Sequence, residues 1–195
     1  MSTENDLQAI LNDVDSFVGS IPKEKILRSL IETETLNILV LGVVQNNADY
    51  KILWEIMKAY CCCYDRDVRL HFVGNFKEDE SLKQIIHFYE LDNNVEFVQE
   101  NDGDTLLSYY LGCDLAFYMG EYNENNVSLL QAYYLYLPIL VINQSEEKIE
   151  QENILHVYGE PIEIAATIRV LKQNRNYRKL LGKDGRHIFD EKIQH

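Results

Sequence analysis

Hydrophobic positions along this chain fall into short blocks that alternate between two periods. Residues 36–44 (LNILVLGVV) form a nearly unbroken apolar run of strand length, the pattern of a strand covered on both faces. Residues 50–64 then predict a helix with Ile52, Ile56, Ala59 and Cys63 on one buried face. Residues 68–74 predict a strand, and 78–91 a helix with Leu82, Ile85, Ile86 and Tyr89 inward. The alternation continues with a strand at 95–98, a helix at 104–111, a strand at 114–118, a helix at 126–135 and a strand at 138–142. A short helix near 145–152, a weak strand at 154–157 and helices over 162–173 and 177–191 complete it. Upstream lie two short helical patterns, 6–17 and 23–31, with Pro22 placed where a helix starts. About six strands separated by helices imply a doubly wound parallel α/β sheet, because each right-handed crossover lays a helix on one face. The expected organisation is a helical lead-in over 1–34 and one α/β domain over 35–195.

Composition narrows the function classes. The net charge is −14 and the pI about 4.7, so a phosphate backbone or an anionic lipid surface is repelled. No stretch reaches the roughly 18 apolar residues that a membrane span needs. Residues 1–15 lack the basic and apolar regions of a secretory signal, and the expected location is cytoplasmic. Cys61, Cys62 and Cys63 follow one another. On a helix they point about 100° apart and cannot converge on one metal. Reduced, mostly buried thiols are expected, with Cys113 among them.

The usual fingerprints of doubly wound enzymes are absent. Gly42 stands alone after the first strand, so there is no glycine-rich dinucleotide loop. A phosphate-binding P-loop, a nucleophile elbow and a zinc helix are missing too. His71, His87, His156, His187 and His195 lack ligand spacing.

The stretch 114–142 is more informative. It reads DLAFYMGEYNENNVSLLQAYYLYLPILVI and resembles the signature of the group-one retaining glycosyltransferases of GT-B type. There a strand runs into a Ser-Glu-x-Glu-Gly-Phe loop, then a Leu-Glu-Ala-Met helix, then a Gly-x-Pro-Val strand. Flanking segments agree: 68–74, 95–98 with 106–110, and Asp13-Val-Asp-Ser-Phe17 are similar to the family's neighbouring motifs. The likeness covers about Asp13 to Asp190. It implies a Rossmann-like, nucleotide-sugar-binding domain, the donor half of a hexosyltransferase whose acceptor lobe is separate.

The resemblance also implies a site. Asn123 falls at the family's first loop glutamate and Gln131 at the glutamate that takes the ribose hydroxyls. Glu124 and Asn125 stand where Gly-Phe is usual, and Asn126 and Val127 lead into the helix. The implied nucleotide-sugar contacts are therefore Asn123, Glu124, Asn125, Asn126, Val127 and Gln131, with no catalytic residue identified. A neutral amide bonds a hydroxyl more weakly than a carboxylate does. The family's Arg and Lys after the first strand have no counterpart in 42–49, and Lys51 is expected to be solvated. Losing two charged phosphate contacts would weaken binding by several kcal/mol, at ~1.5 to 3 kcal/mol each. No cofactor is expected beyond a nucleotide diphosphate sugar as ligand, and no metal; a Mg2+ site at the acidic runs 78–80 and 145–147 is the alternative to their being helix starts.

Three readings follow: a donor lobe working with a separate acceptor lobe, a catalytically inactive relative acting as an interaction or regulatory module, and an unrelated α/β binding domain. Competence of this chain alone is not expected, since the cleft needs two walls. Tyr109, Tyr110, Tyr118, Tyr122, Tyr133, Tyr134 and Tyr136 are either core aromatics or a protein interface toward a partner lobe or a second copy. The basic group Arg169, Lys172, Arg175, Arg178, Lys179, Lys183 and Arg186 reads as a solvated helix face, or as a contact for an acidic partner.

Overall fold

The computed structural model describes residues 35–41, 47–74, 80–99, 103–119, 126–142, 155–157 and 160–193, with single positions at 9, 12, 16 and 123. The strands are β1 (Leu36–Leu41), β2 (Val68–Gly74), β3 (Val95–Gln99), β4 (Leu115–Met119), β5 (Ile139–Ile142) and β6 (Leu155–Val157). The helices are α1 (Asn47–Cys63), α2 (Glu80–Phe88), α3 (Gly103–Gly112), α4 (Val127–Tyr134), α5 (Pro161–Gln173) and α6 (Arg175–Ile193). Ala9, Asn12 and Ser16 are helical and exposed. The expected helices 23–31 and 145–152 lie outside the described residues.

All pairings are parallel and the order is β3-β2-β1-β4-β5-β6. Alternation along each strand splits the core between the two faces. Leu36, Ile38 and Val40 of β1, Leu70 and Phe72 of β2 and Leu115 and Phe117 of β4 join α1 and α5 in one cluster. Leu39, Leu41, Ala116 and Tyr118 join α3, α4 and α6 in the other. Strands buried on both faces are what near-continuous apolar runs require. In the first cluster Tyr50, Trp54, Phe72 and Phe97 form a chain of ring contacts at 5.9, 5.7 and 4.9 Å.

The face of α1 differs from the expected one. Leu53, Trp54, Ile56, Met57 and Tyr60 are fully buried, whereas Ile52 and Ala59 are only partly so and Cys63 is exposed. The larger side chains set the rotation of the helix because they remove more apolar area from water. The thiols follow: Cys62 and Cys63 are exposed, Cys61 is half-buried and Cys113 alone is buried.

The α5–α6 corner is tied down by charge. Arg178 Nη1 donates to Leu171 O at 2.6 Å and Lys172 O at 2.8 Å, capping α5, and its Nη2 lies 3.4 Å from Asp114 Oδ1. Asp114 Oδ2 also accepts from Asn37 N at 3.0 Å, so this residue precedes the β4 ladder instead of opening it. Lys172 pairs with Asp65 and Asp67, and Arg169 lies over the Tyr64 ring. Arg186 donates to Tyr134 O and pairs with Asp190. The basic group is therefore largely structural, and only part of it is a solvated face.

Candidate functional site

Successive strands run from β1 outward to β3, and then β4 returns to the other side of β1. Ligands of open α/β sheets bind outside the carboxyl ends of the strands at such a reversal. The connection from β4 to α4 emerges there. Its described residues are Asn123, which is exposed, and Asn126. Asn126 N donates to Asn123 O at 2.9 Å, closing a turn before the helix.

Asn126 is the N-cap of α4 in extended conformation (φ −69°, ψ 127°), and its Oδ1 accepts from Ser128 N at 3.0 Å and Leu129 N at 3.3 Å. That is the usual way to satisfy the first free N–H groups of a helix. Val127 is half-buried against the second core cluster. Gln131, one turn further, is 9% exposed. Tyr110 of α3 places its hydroxyl 3.2 Å from both Gln131 Oε1 and Ser128 O. A hydroxyl carries one proton, so the pair is fully satisfied when Tyr110 donates to Ser128 O and the Gln131 amide presents its nitrogen. Glu124, Asn125 and residues 42–46 after β1 lie outside the described residues.

Lys51, in the first turn and a half of α1, is exposed and sits 3.6 Å from Glu55. Among the described residues no group of three or more His, Cys, Asp or Glu is gathered to hold a metal, and no helix is long and apolar enough to cross a membrane.

Of the tyrosines, Tyr110, Tyr118 and Tyr133 are core residues, Tyr109 and Tyr134 are half-buried and Tyr136 is 51% exposed. Tyr122 lies outside the described residues. One polar network escaped the sequence reading. His71 of β2 is buried, with Nδ1 2.9 Å from Glu96 Oε2 of β3 and Nε2 3.0 Å from Asn37 Oδ1 of β1. An imidazolium could donate to both and a neutral ring to only one. Burial, acting against the Glu96 carboxylate, holds the His71 pKa below its usual value. Only the pairing of three strands brings these residues together.

Solved structures share the fold. A glycosyltransferase involved in lipopolysaccharide biosynthesis, WaaG, aligns over 89% of this chain and 48% of its own at 15% identity and TM-score 0.66. The C-terminal domain of a group 1 glycosyl transferase family protein (LpcC) from Francisella tularensis aligns over 89% of this chain and 93% of its own, at 15% identity and TM-score 0.63. Sucrose-phosphate synthase from Thermosynechococcus elongatus aligns over 87% and 44%, at 16% identity and TM-score 0.64. The chain thus spans about half the length of WaaG and of the synthase, and nearly all of the isolated C-terminal domain. No curated protein matches it in sequence. The family model for group 1 glycosyl transferases matches residues 20–188. With that match over most of its length, the chain belongs to the glycosyl transferases of group 1.

Proposed function

We propose that this domain is the donor side of a two-lobed GT-B glycosyltransferase. It holds a nucleotide-sugar at Asn123, Asn126, Val127 and Gln131, with Glu124 and Asn125 between them, and needs a second lobe for catalysis. The observation that carries this reading is the position of the α4 N-terminus, at the reversal point of the sheet. Phosphate oxygens are favoured there by free N–H groups and the positive end of the helix dipole. Gln131 lies one turn along, within reach of a sugar hydroxyl bound at that terminus.

A second reading, a non-catalytic interaction or regulatory module, is favoured by the same groups. Asn126 already occupies the Ser128 and Leu129 N–H groups, and Tyr110 engages Gln131. A phosphate must displace the Asn126 side chain or make do with what remains. Giving up two such bonds costs about 1 kcal/mol each.

Calorimetric titration with UDP, GDP, ADP and their sugars, with and without Mg2+, separates the two. Micromolar binding to one nucleotide supports the donor lobe, and no binding up to millimolar concentration leaves the module. Two variants locate the site. Asn126→Gly frees both N–H groups and should tighten binding, and so should Asn123→Glu with Gln131→Glu, which restores charged partners for hydroxyls. No change in either means that the α4 terminus is not the donor pocket.

A further inference from the structure

Three departures from local preference lie on the end of α4 and the first half of α6, at the amino edge of the sheet. The first is Tyr136, which ends α4 in the left-handed region at φ 60°. Tyr136 N donates to Tyr133 O and Leu137 N to Ala132 O, the hydrogen-bond pair that usually holds a glycine or asparagine at this position. A bulky aromatic residue is strained there, and its ring is 51% exposed. The second is charge in α6. Its first turn has no acidic residue and begins with Arg175, Arg178 and Lys179, while its last turn mixes Asp190 and Glu191 with Lys192, so the first turn runs against the helix dipole. Arg178 is accounted for by its cap and its pairing with Asp114. Lys179 and Lys183 are exposed, and neither has an ion-pair partner among the described residues. The third is Leu180, 53% exposed on the outer side of the same helix.

Tyr136 lies against α6. Gly182 of α6 abuts the Tyr136 carbonyl, and Arg186 stacks over both Tyr134 and Tyr136 at 4.5 and 5.5 Å. Residues 161–195 hold eight Lys and Arg against four Asp and Glu, whereas the preceding 160 residues hold ten against 28. Local rules broken together on a surface mark a functional patch, and this one pairs exposed apolar anchors with uncompensated positive charge.

We infer that Tyr136 with the outer face of α6 (Lys179, Leu180, Lys183) is a docking surface for an acidic segment of a partner protein, one carrying an apolar residue among its carboxylates. Charge complementarity selects such a segment. An anionic membrane is disfavoured because the rest of the molecule would be pressed against it with its excess of carboxylates. The surface lies at the opposite edge from the α4 N-terminus, so docking there leaves the donor rim free, and the inference does not depend on nucleotide binding.

The test uses the full chain and a fluorescent glutamate-rich peptide with one central phenylalanine, with amide NMR to map the contact. Expected is binding that weakens with salt, perturbs Tyr136 and residues 179–183, falls about tenfold in K179E/K183E and is unchanged in Lys51→Gln at the other edge. Tyr136→Gly should weaken binding while raising the urea midpoint, a pair of effects that a merely structural tyrosine would not give. Equal affinity of K179E/K183E, perturbation confined to other surfaces, a lowered midpoint in Tyr136→Gly, or tighter binding to phosphatidylglycerol vesicles than to peptide would each overturn it. So would sedimentation as a dimer that K179E/K183E dissolves, since the occupant would then be a second copy.

Discussion

The contact between α4 and α6 gives the sharpest test of the packing. A Cβ added at Gly182 would stand 2.2 Å from Tyr136 O and 3.1 Å from Tyr136 C. Both are backbone atoms, fixed by the bonds that close α4, so the overlap can be relieved only by moving α6 away. That displacement would loosen Phe189, which is fully buried against the edge of the Tyr134 ring at 5.2 Å. It would also strain Arg186, whose Nη1 donates to Tyr134 O at 3.1 Å. Overpacking of this kind costs typically 1 to 3 kcal/mol and occasionally more. Alanine regains about 1 kcal/mol of helix propensity over glycine. The unyielding neighbour places Gly182→Ala at a net loss of about 2 kcal/mol.

Two other glycines calibrate the value. At Gly185 the added Cβ would meet Tyr133 Cδ1 at 2.6 Å, a side-chain atom that can give a little, so Gly185→Ala should lose about 1 kcal/mol. At Gly112, the last residue of α3, nothing lies within 4 Å, and Gly112→Ala should be neutral or slightly stabilising. Trp54, the single tryptophan and fully buried, reports urea unfolding by fluorescence. With a slope of about 2 kcal/mol/M, Gly182→Ala should lower the midpoint by about 1 M. A midpoint for Gly182→Ala within about 0.2 M of the parent, or a larger loss in Gly112→Ala, would refute the close approach of the two helices.

Removing Arg178 as Arg178→Met strips the cap from α5 and leaves Asp114 without its cation. The pair is partly buried, with side chains 14% and 20% exposed, so the loss should be about 2 kcal/mol in urea unfolding, below that of a fully buried pair; an unchanged midpoint would mean that the corner is held by apolar contacts alone. Stability should fall as pH drops below about 6.5. Burial depresses the folded pKa of His71, so the unfolded chain takes up its proton first and stability is lost through the unfolded value and down to the folded one, with His156, depressed for the same reason, adding to it. Urea midpoints at pH 7.5 and 5.5 test this, and a higher midpoint at the lower pH would show that the network holds an imidazolium. Ellman's reagent should titrate Cys62 and Cys63 quickly in the folded protein and Cys61 more slowly. Cys113, buried with its thiol pushed well above the usual range, should react only on unfolding, and its rapid reaction in the native protein would contradict the packing of α3.

The strand and helix order was legible because strands covered on both faces and helices covered on one leave different periods in the sequence. The β4-to-α4 stretch was legible by its resemblance to the family signature, because the strand, loop and helix that carry it are consecutive in the chain. What was hidden depends on distant partners. Arg178 meets Asp114 and His71 meets Asn37 and Glu96 only after the crossovers are made, and nothing local marks those charges as paired. The rotation of α1 was hidden differently. That helix is apolar over most of its circumference, so the Ile52-Ile56-Ala59-Cys63 stripe and the Leu53-Trp54-Met57-Tyr60 stripe fit the same period, and only packing against β2 chooses between them. Tyr136 was invisible because no glycine or asparagine announces a left-handed residue there.

The two edges of the sheet obey one rule with opposite outcomes. At the carboxyl edge two of the described polar groups that a ligand would use have partners within the chain: Asn126 serves the first N–H groups of α4, and Tyr110 serves Gln131. A helix terminus or a buried amide left without a ligand costs about 1 to 3 kcal/mol per orphaned group, so a donor site used weakly or intermittently is stable only if its own side chains fill in. At the amino edge the reverse holds. Lys179, Lys183 and the Tyr136 ring stay exposed although an acidic first turn and a glycine after α4 would make the free domain more stable. Internal satisfaction lowers affinity for a ligand, and uncompensated charge beside exposed apolar surface raises it. On that physical ground the proposed α6 surface should bind its acidic segment more tightly than the α4 terminus binds a nucleotide-sugar, and titrating the same protein with both ligands compares them.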